Sequence, residues 1–162
     1  MIYLIGPMAS GKSTVGKSLA TVLSTDFFDT DALIVAEHGS IASIFAAHGE
    51  QRFRDLEQQA LATVPQGVIA TGGGAVLREA NCQVLNTGTV VYLEMSEETA
   101  ATRLKGDNSR PLLAGDAALT SWISLYRTRR SIYESLADVR VSVDHKTVLQ
   151  IVEEILTQLP RM

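Results

Sequence analysis

The stretch Gly6-Pro7-Met8-Ala9-Ser10-Gly11-Lys12-Ser13-Thr14 organises this chain, and it fits the phosphate-loop pattern G-x-x-x-x-G-K-[ST]. Four apolar residues, Ile2 to Ile5, precede it and predict a short buried strand. An amphipathic run from Val15 to Leu23 follows it and predicts a helix. Backbone N–H groups at the start of such a helix, together with the helix dipole, favour a bound anion. The stretch therefore predicts a site for nucleotide phosphates.

Two side chains of this loop carry specific chemistry. Lys12 supplies a point charge for the β- and γ-phosphates, and the Ser13 hydroxyl supplies a ligand for Mg²⁺. The loop does not identify the molecule that receives the phosphoryl group.

The composition is that of an ordinary globular chain. Its 162 residues predict one domain, and 46% of them are hydrophobic and 20% charged. A formal net charge of −4 argues against non-specific nucleic-acid binding. The single cysteine, Cys82, excludes an intramolecular disulfide and suits a cytoplasmic location. The first residues do not resemble a signal peptide, and no apolar run approaches the roughly 18 residues of a membrane span, so we expect no membrane partner.

Strand and helix patterns alternate along the chain. Strands are predicted at Ile2–Ile5, Phe27-Phe28 leading into Asp29, Val68–Thr71, Val90–Leu93 and Val139–Val143. Helices are predicted at about 12–24, 31–47 with a break near Gly39, 50–63, 78–86, 97–104, 117–137 and 147–158. This alternation predicts an α/β fold, a parallel sheet with helices on both faces, whose ligands bind beyond the carboxyl ends of the strands. Residues 105–116 are rich in turn formers and predict a mobile loop.

Two carboxylates, Asp29 and Asp31, follow the second predicted strand. They could hold Mg²⁺, directly or through water, and could accept a proton from a hydroxyl group. The alternative is a helix cap, since Asp31 begins a helical pattern. The functional interpretation gains support from the phosphate loop, because Mg²⁺ must lie near Ser13.

Glu50, Arg54 and Glu57 have the spacing that places side chains on one helix face. The residues alone favour a solvated ladder of ion pairs, which contributes little to stability. The functional alternative is an arginine whose fork is held by acids so that it can grip a carboxylate.

Three consecutive glycines, Gly72 to Gly74, directly follow the third predicted strand. They predict either a loose turn or, as we favour, a backbone that a ligand approaches closely. Arg110 precedes Pro111 in the predicted loop, where a cation could reach a transferring phosphoryl group. Arg129 lies in a basic cluster, four residues before Tyr133. Solvation at the surface is the alternative for each single arginine.

Six motifs in order along the chain closely resemble those of the shikimate kinases. They are the phosphate loop, Asp29-Thr30-Asp31, Gly49-Glu50-x-x-Phe53-Arg54-x-x-Glu57, Gly72-Gly73-Gly74, Arg110-Pro111-Leu112-Leu113 and Arg129-x-x-x-Tyr133. The resemblance covers essentially the whole chain. It implies a three-layer P-loop kinase fold similar to that of the nucleoside monophosphate kinases, with a five-stranded parallel sheet of order 2-3-1-4-5. It also implies one domain over residues 1–162, with a substrate-binding region at about 31–61 and a mobile lid at about 105–117.

The resemblance implies an activity as well. Members of the shikimate kinase family use ATP and Mg²⁺ to phosphorylate the 3-hydroxyl of shikimate. The products are ADP and shikimate 3-phosphate, which lies on the path to chorismate and aromatic amino acids. We also expect the chain to be a monomer. The enzymatic alternative is a related small-metabolite kinase, such as one that acts on gluconate. The non-enzymatic alternative is a nucleotide-binding regulator without catalytic activity, for which the loss of Lys12, Asp31 or Arg110 would be the signal.

The resemblance assigns roles to matching positions. The implied catalytic residues are Lys12, Asp31 as candidate base, and Arg110 on the γ-phosphate. The implied ATP-binding residues are Ala9, Ser10, Gly11, Lys12, Ser13, Thr14 and Arg110, with Arg103 and Lys146 beside the adenine. The implied acceptor-binding residues are Asp31, Phe45, Phe53, Arg54, Glu57, Gly72, Gly73, Gly74 and Arg129. Of these, Arg54 and Arg129 would hold the carboxylate and Glu57 would position Arg54. The implied Mg²⁺ ligands are Ser13 and, through water, Asp29.

The sequence departs from the family pattern at two places. Ala9 stands where many members have glycine, and we expect that this position does not require a positive φ. The segment around Lys146 lacks a proline that some members place against the adenine.

Overall fold

The fold is a parallel sheet with helices on both faces, in a computed structural model that describes residues 1–105 and 117–160. The strands are β1 (Ile2–Ile5), β2 (Phe27–Asp29), β3 (Val68–Ala70), β4 (Thr89–Glu94) and β5 (Val139–Ser142). The helices are α1 (Lys12–Val22), α2 (Thr30–His38), α3 (Ile41–Thr63), α4 (Glu79–Leu85), α5 (Glu97–Leu104), α6 (Ala118–Leu136) and α7 (Val148–Gln158), and a 3₁₀ turn spans Ala75–Leu77.

The sheet has the order β2-β3-β1-β4-β5, which confirms the predicted order. Its central strand, β1, pairs in parallel with β3 and β4, and Leu4 lies opposite both Ala70 and Val91. The carboxyl ends of β1, β2 and β3 therefore meet at one edge, where a phosphate loop, two aspartates and three glycines follow them.

Side chains alternate between the two faces of the sheet, because successive residues of a strand point to opposite sides. Leu4 packs with Leu19 of α1 and Ile151 of α7 on one face. Tyr3 and Ile5 pack with residues of α3, α4 and α6 on the other, among them Leu61, Leu85 and Tyr133. None of the helices in the described ranges is both long and apolar enough to span a membrane.

The predicted elements differ from the structure mainly at helix boundaries. The range of α3 contains two helical segments that meet at a kink, because Gly49 has the non-helical angles φ 81° and ψ 171°. This confirms the predicted boundary between a helix that ends at about 47 and one that begins at about 50. The third strand ends at Ala70, one residue before the predicted end, although the Thr71 hydroxyl still donates to the Leu4 carbonyl at 3.0 Å. Most of the predicted lid, residues 106–116, lies outside the described residues.

Candidate active site

The phosphate loop runs from the end of β1 to the start of α1, as predicted. Gly6 (φ 145°) passes so close to β4 that a Cβ there would lie 2.6 Å from the Leu93 carbonyl oxygen. Gly11 (φ 90°) is the N-cap of α1. The Lys12 ammonium donates to the carbonyls of Gly6 and Pro7, at 2.9 Å each, so its charge is held over the loop.

Ala9 corrects one expectation from the sequence. Its φ is 67°, in the left-handed region that alanine adopts only at a cost, so the expectation that position 9 does not require a positive φ is wrong. The Ala9 carbonyl accepts a hydrogen bond from the Arg103 guanidinium at 3.0 Å. This contact from α5 holds the strained peptide in place.

Asp29 joins the phosphate loop to α2. One of its oxygens accepts a hydrogen bond from the Ser13 hydroxyl, and the other accepts from Ala32 N at 3.1 Å. The capping role that was considered for Asp31 therefore belongs to Asp29, which is the N-cap of α2. The same carboxylate serves both the helix and the loop.

Asp31 lies in the first turn of α2 and is half-buried. Burial raises its pKa from 3.8 to about 6, with the nearby carboxylates of Glu57 and Asp29 adding to the shift and Lys12 and Arg54 opposing it. Its Oδ1 atom is buried without a hydrogen-bond partner among the described residues. Asp31 thus lies within electrostatic reach of both the phosphate-loop lysine and the buried arginine.

A cavity of about 310 Å³ brings most of the predicted site together. Its lining residues are Met8, Ala9, Gly11, Lys12, Ser13, Thr14, Asp29, Asp31, Thr71, Gly72, Gly73 and Arg103. Ser10, although predicted to bind ATP, does not line it, because its side chain is buried inside the loop.

Arg54 and Glu57 form a buried ion pair behind this cavity. The guanidinium donates to Glu57 Oε2 at 2.9 Å and to Glu50 Oε1 at 3.2 Å, and the Arg54 and Glu57 side chains are only 7% and 1% exposed. The solvated ladder favoured from the residues alone is therefore wrong for this pair. Burial alone would lower the pKa of Arg54, but Glu57 and Glu50 raise it above its ordinary value, so the arginine keeps its charge.

The glycine turn lies directly against this ion pair. A Cβ on Gly72 would collide with Glu57 Oε1, and one on Gly74 would collide with both terminal nitrogens of Arg54. Close approach to the backbone, rather than a loose turn, is thus what the structure shows, and the groups that approach are Arg54 and Glu57. Beside them the rings of Phe45 and Phe53 meet at 5.3 Å between centroids. The Arg54 Cζ atom also lies 5.3 Å from the centroid of the Phe53 ring.

Arg129 reaches the same region from α6. It is buried, and its charge lowers the pKa of Glu57, although burial raises that pKa overall. One turn further along α6, the Tyr133 hydroxyl donates to the Gly73 carbonyl at 2.5 Å. Arg54 therefore lies against the glycine turn, while Arg129, from a helix distant in sequence, lies within electrostatic reach of Glu57 and Tyr133, which both lie beside that turn.

Three residues near the site were not predicted from the sequence to belong to it. Thr71 lines the cavity, and the Trp122 indole donates to the Met8 carbonyl at 2.8 Å. Tyr133 was noted only as part of a motif. Trp122, Tyr126, Arg129 and Tyr133 are spaced at four, three and four residues, so a helical reading of α6 would have placed all four on one face.

The three residues outside the loop that were predicted to contact the nucleotide have different locations. Arg103 lines the cavity beside the loop. The Lys146 ammonium instead pairs with Glu154 at 2.5 Å and does not line this cavity. Arg110 lies outside the described residues.

A parallel sheet of this order, with a phosphate loop after its central strand, defines a P-loop kinase. Residues 8–160 match the family model described as shikimate kinase. The chain is 42% identical to the shikimate kinase of Symbiobacterium thermophilum, over 98% of this chain and 95% of that one. The chain belongs to the shikimate kinase family.

Two solved structures place the fold among known ones. The shikimate kinase of Acinetobacter baumannii in complex with shikimate has a TM-score of 0.91 and 35% identity, over 96% of this chain and 90% of that one. A gluconokinase from Sinorhizobium meliloti has a TM-score of 0.63 and 22% identity, over 97% of this chain and 89% of that one. The second likeness shows the fold alone and gives no support to the gluconate alternative.

Proposed function

We propose that this chain transfers the γ-phosphoryl group of ATP to the 3-hydroxyl of shikimate, giving shikimate 3-phosphate and ADP for aromatic biosynthesis. It is a kinase of the shikimate kinase family, and its relative from Acinetobacter baumannii was solved with shikimate. The observation that carries the proposal is the single cavity that Lys12, Asp31 and the glycine turn share. A phosphate donor on the loop and an acceptor against Asp31 would meet there.

On the nucleotide side, the loop residues that line the cavity would hold the phosphates, with Lys12 on the β- and γ-phosphates. Ser13 and Asp29 fit Mg²⁺, because they offer hard oxygen ligands that already contact each other at the cavity wall. When bound there, the ion would neutralise charge on the phosphoryl oxygens. Few protein ligands suffice, since Mg²⁺ usually keeps several waters and binds substrate phosphates.

On the acceptor side, Asp31 would orient the hydroxyl group and take its proton. A pKa of about 6 makes Asp31 a stronger base than an ordinary aspartate, and it is still ionised at pH 7. A loose transition state makes little demand on a strong base, so the proton can move late. The acceptor's carboxylate would be gripped by the buried guanidinium groups of Arg54 and Arg129, with Glu57 fixing the first of them.

The remaining roles rest on the resemblance. Arg110 would deliver positive charge to the γ-phosphate from a lid, and Arg103 and Lys146 would lie beside the adenine. The proposal includes a single chain as the working unit, acting in the cytoplasm, where ATP is available.

The test is a coupled assay of ADP release with shikimate, shikimate methyl ester and gluconate as acceptors. Shikimate should be strongly preferred over its ester, because the guanidinium pair would recognise the free carboxylate, and over gluconate, because the chain belongs to the shikimate kinase family. Phosphorus NMR of the product should locate the phosphate on the 3-oxygen. Lys12→Ala is the negative control and should release no ADP. Turnover of gluconate at the rate of shikimate, or ADP release by the Lys12 variant, would contradict the proposal.

A first prediction concerns the different roles proposed for the two aspartates, Asp29 at the metal and Asp31 at the acceptor. Asp29→Asn keeps a capping side chain but weakens an oxygen ligand, so it should raise the Mg²⁺ concentration needed for half-maximal rate. Asp31→Asn should lower kcat severely with an unchanged Mg²⁺ requirement. Magnesium titrations of both variants at saturating ATP check this, and identical curves would show that the assignment is wrong.

A further inference from the structure

Tyr133 connects the glycine turn to α6. The side chain is only 1% exposed, and its hydroxyl donates to the Gly73 carbonyl at 2.5 Å. Arg129 precedes it by one helical turn and is buried beside it. Burial raises the pKa of Tyr133 to about 12, even though the Arg129 guanidinium acts on the hydroxyl to lower it. The hydroxyl therefore stays protonated, and able to donate, at every pH at which the enzyme would be assayed.

The carbonyls of the glycine turn are all held from within the protein. Those of Gly72 and Gly74 accept from Ala75 N and Leu77 N, at 3.1 Å each, in the 3₁₀ turn that follows. The Gly73 carbonyl alone is held by a side chain, that of Tyr133. A trans peptide unit points its C=O and the following N–H in opposite directions. Holding the Gly73 carbonyl toward α6 thus turns the Gly74 N–H away from α6, and Gly74 is the residue against Arg54.

We propose that Tyr133 is a positioning residue for acceptor recognition: its hydroxyl fixes the glycine turn to α6, so that the turn, Arg54 and Arg129 present one preformed site to a carboxylate-bearing acceptor. The inference deepens the proposed function and rests on it. Tyr133 acts through its neighbours, and its effect should appear in acceptor affinity and in selectivity for the carboxylate. The nucleotide site should be unaffected, since Lys12 and Ser13 are held by other contacts.

A matched control exists in the same aromatic cluster. The Tyr92 ring stacks on that of Tyr133 at 5.3 Å between centroids, and the Tyr92 hydroxyl bonds to that of Tyr126 at 2.5 Å. Tyr92→Phe and Tyr133→Phe therefore each remove one buried phenolic hydroxyl from neighbouring rings. Only the second removes a contact to the glycine turn.

The experiment measures KM for shikimate and ATP, the preference for shikimate over its methyl ester, and thermal unfolding. Tyr133→Phe should raise the KM for shikimate about tenfold, as expected when one hydrogen bond is lost, and should leave the KM for ATP within about twofold. Its preference for the acid over the ester should fall. Tyr92→Phe should keep wild-type kinetics while losing thermal stability to a similar extent. A variant with 3-fluorotyrosine at position 133 keeps the hydroxyl and should behave as wild type.

Each contrary result has a separate meaning. Equal kinetics in the two phenylalanine variants, or equal increases in both KM values for Tyr133→Phe, would overturn the positioning role. A defect in the 3-fluorotyrosine variant equal to that of Tyr133→Phe would also overturn it, because the hydroxyl is then not responsible. Should Tyr133→Phe fail to fold, the 3-fluorotyrosine variant is assayed at rising pH. Fluorine makes its phenol more acidic, so the hydroxyl should stop donating, and the KM for shikimate should rise, at a lower pH than in wild type; superimposable pH profiles would overturn the role. A wild-type enzyme that does not phosphorylate shikimate would overturn the proposed function instead.

Discussion

At the scale of single residues, Ala9 carries a conformational cost in the phosphate loop. A left-handed φ of 67° costs an alanine about 1–2 kcal/mol, whereas glycine adopts it freely. Glycine also gives the unfolded chain more freedom, which offsets roughly 0.5–1 kcal/mol of the gain. Ala9→Gly should therefore raise the free energy of unfolding by up to about 1 kcal/mol.

Urea denaturation of Ala9→Gly checks this prediction. The control is Ala36→Gly, at an exposed position of α2, where glycine should lower the free energy of unfolding by about 0.5–1 kcal/mol. Opposite signs for the two substitutions are expected, and a loss of stability in both would show that position 9 carries no strain.

Asp31 couples stability to pH. Its folded pKa of about 6 lies above its ordinary value of 3.8, so the folded state binds more protons between these values and the stability of the fold falls as pH rises through them. Asn cannot ionise. Asp31→Asn should therefore be more stable than wild type at pH 8, by about 2–3 kcal/mol, and the difference should vanish below about pH 4.

Denaturant titrations across this pH range test the coupling. If Asp31→Asn is no more stable than wild type at pH 8, the carboxyl of Asp31 is not destabilised by its surroundings. If Asp31→Asn gains stability and loses activity, the carboxylate of Asp31 destabilises the fold but is required for the reaction.

At the scale of elements, α3 and α6 each contribute one buried arginine to the proposed acceptor site. Removing Arg54 outright would leave Glu57 buried without its partner, so lysine is the better substitution: it keeps the charge but loses the fork. Each of Arg54→Lys and Arg129→Lys should raise the KM for shikimate roughly tenfold to a hundredfold, the loss of one charge-assisted hydrogen bond. The KM for ATP should change little.

The two arginines should act as one unit. The double variant should lose less than the product of the single losses, because both side chains serve one carboxylate. Arg130→Lys is the control from α6, since Arg130 is exposed and pairs with Glu134. The acid-to-ester ratio is the deciding measurement: if it stays at the wild-type value in both single variants, neither arginine contacts the acceptor's carboxylate.

Most helices and strands could be predicted from the sequence, because local patterns determine them. An apolar run before a glycine loop predicted β1 to the residue, and Gly39 was correctly placed at the break between α2 and α3. The burial of Arg54 with Glu57 could not be predicted, because helical spacing is the same for a solvated and a buried ion pair. That distinction depends on the glycine turn, which reaches the pair only through the sheet.

The same limit applies to backbone conformation and to contacts between distant elements. The sequence shows an alanine at position 9, but its positive φ follows from the path of the whole loop between β1 and α1. The bond from Tyr133 to Gly73 spans 60 residues, and no periodic pattern encodes it. The motifs did predict many of the residues that line the cavity: five of the six predicted loop residues from Ala9 to Thr14, both aspartates and two of the three glycines.

At the scale of the whole molecule, the two proposed ligands bind to different sets of elements on one edge of the sheet. The nucleotide would contact the phosphate loop between β1 and α1, together with Arg103 of α5. The acceptor would contact α2, α3, the glycine turn and α6. Since the sheet and its helices share buried apolar clusters, each ligand should stabilise the folded state as a whole.

This separation predicts which ligand stabilises which variant. At a concentration 100 times its dissociation constant, a ligand adds about 2.7 kcal/mol to the free energy of unfolding. At about 2–4 °C per kcal/mol for a chain of this size, ADP and shikimate should each raise the Tm of the wild type by roughly 5–10 °C. At the same ligand concentrations, Lys12→Ala should lose the ADP shift and keep the shikimate shift. Arg129→Lys should keep the ADP shift and lose much of the shikimate shift, because its defect is confined to the carboxylate. Differential scanning fluorimetry of the three proteins, each compared with its own ligand-free Tm, gives the answer. If both shifts disappear together in Lys12→Ala, the two ligands do not occupy separable sites, and the cavity cannot be divided between donor and acceptor as proposed.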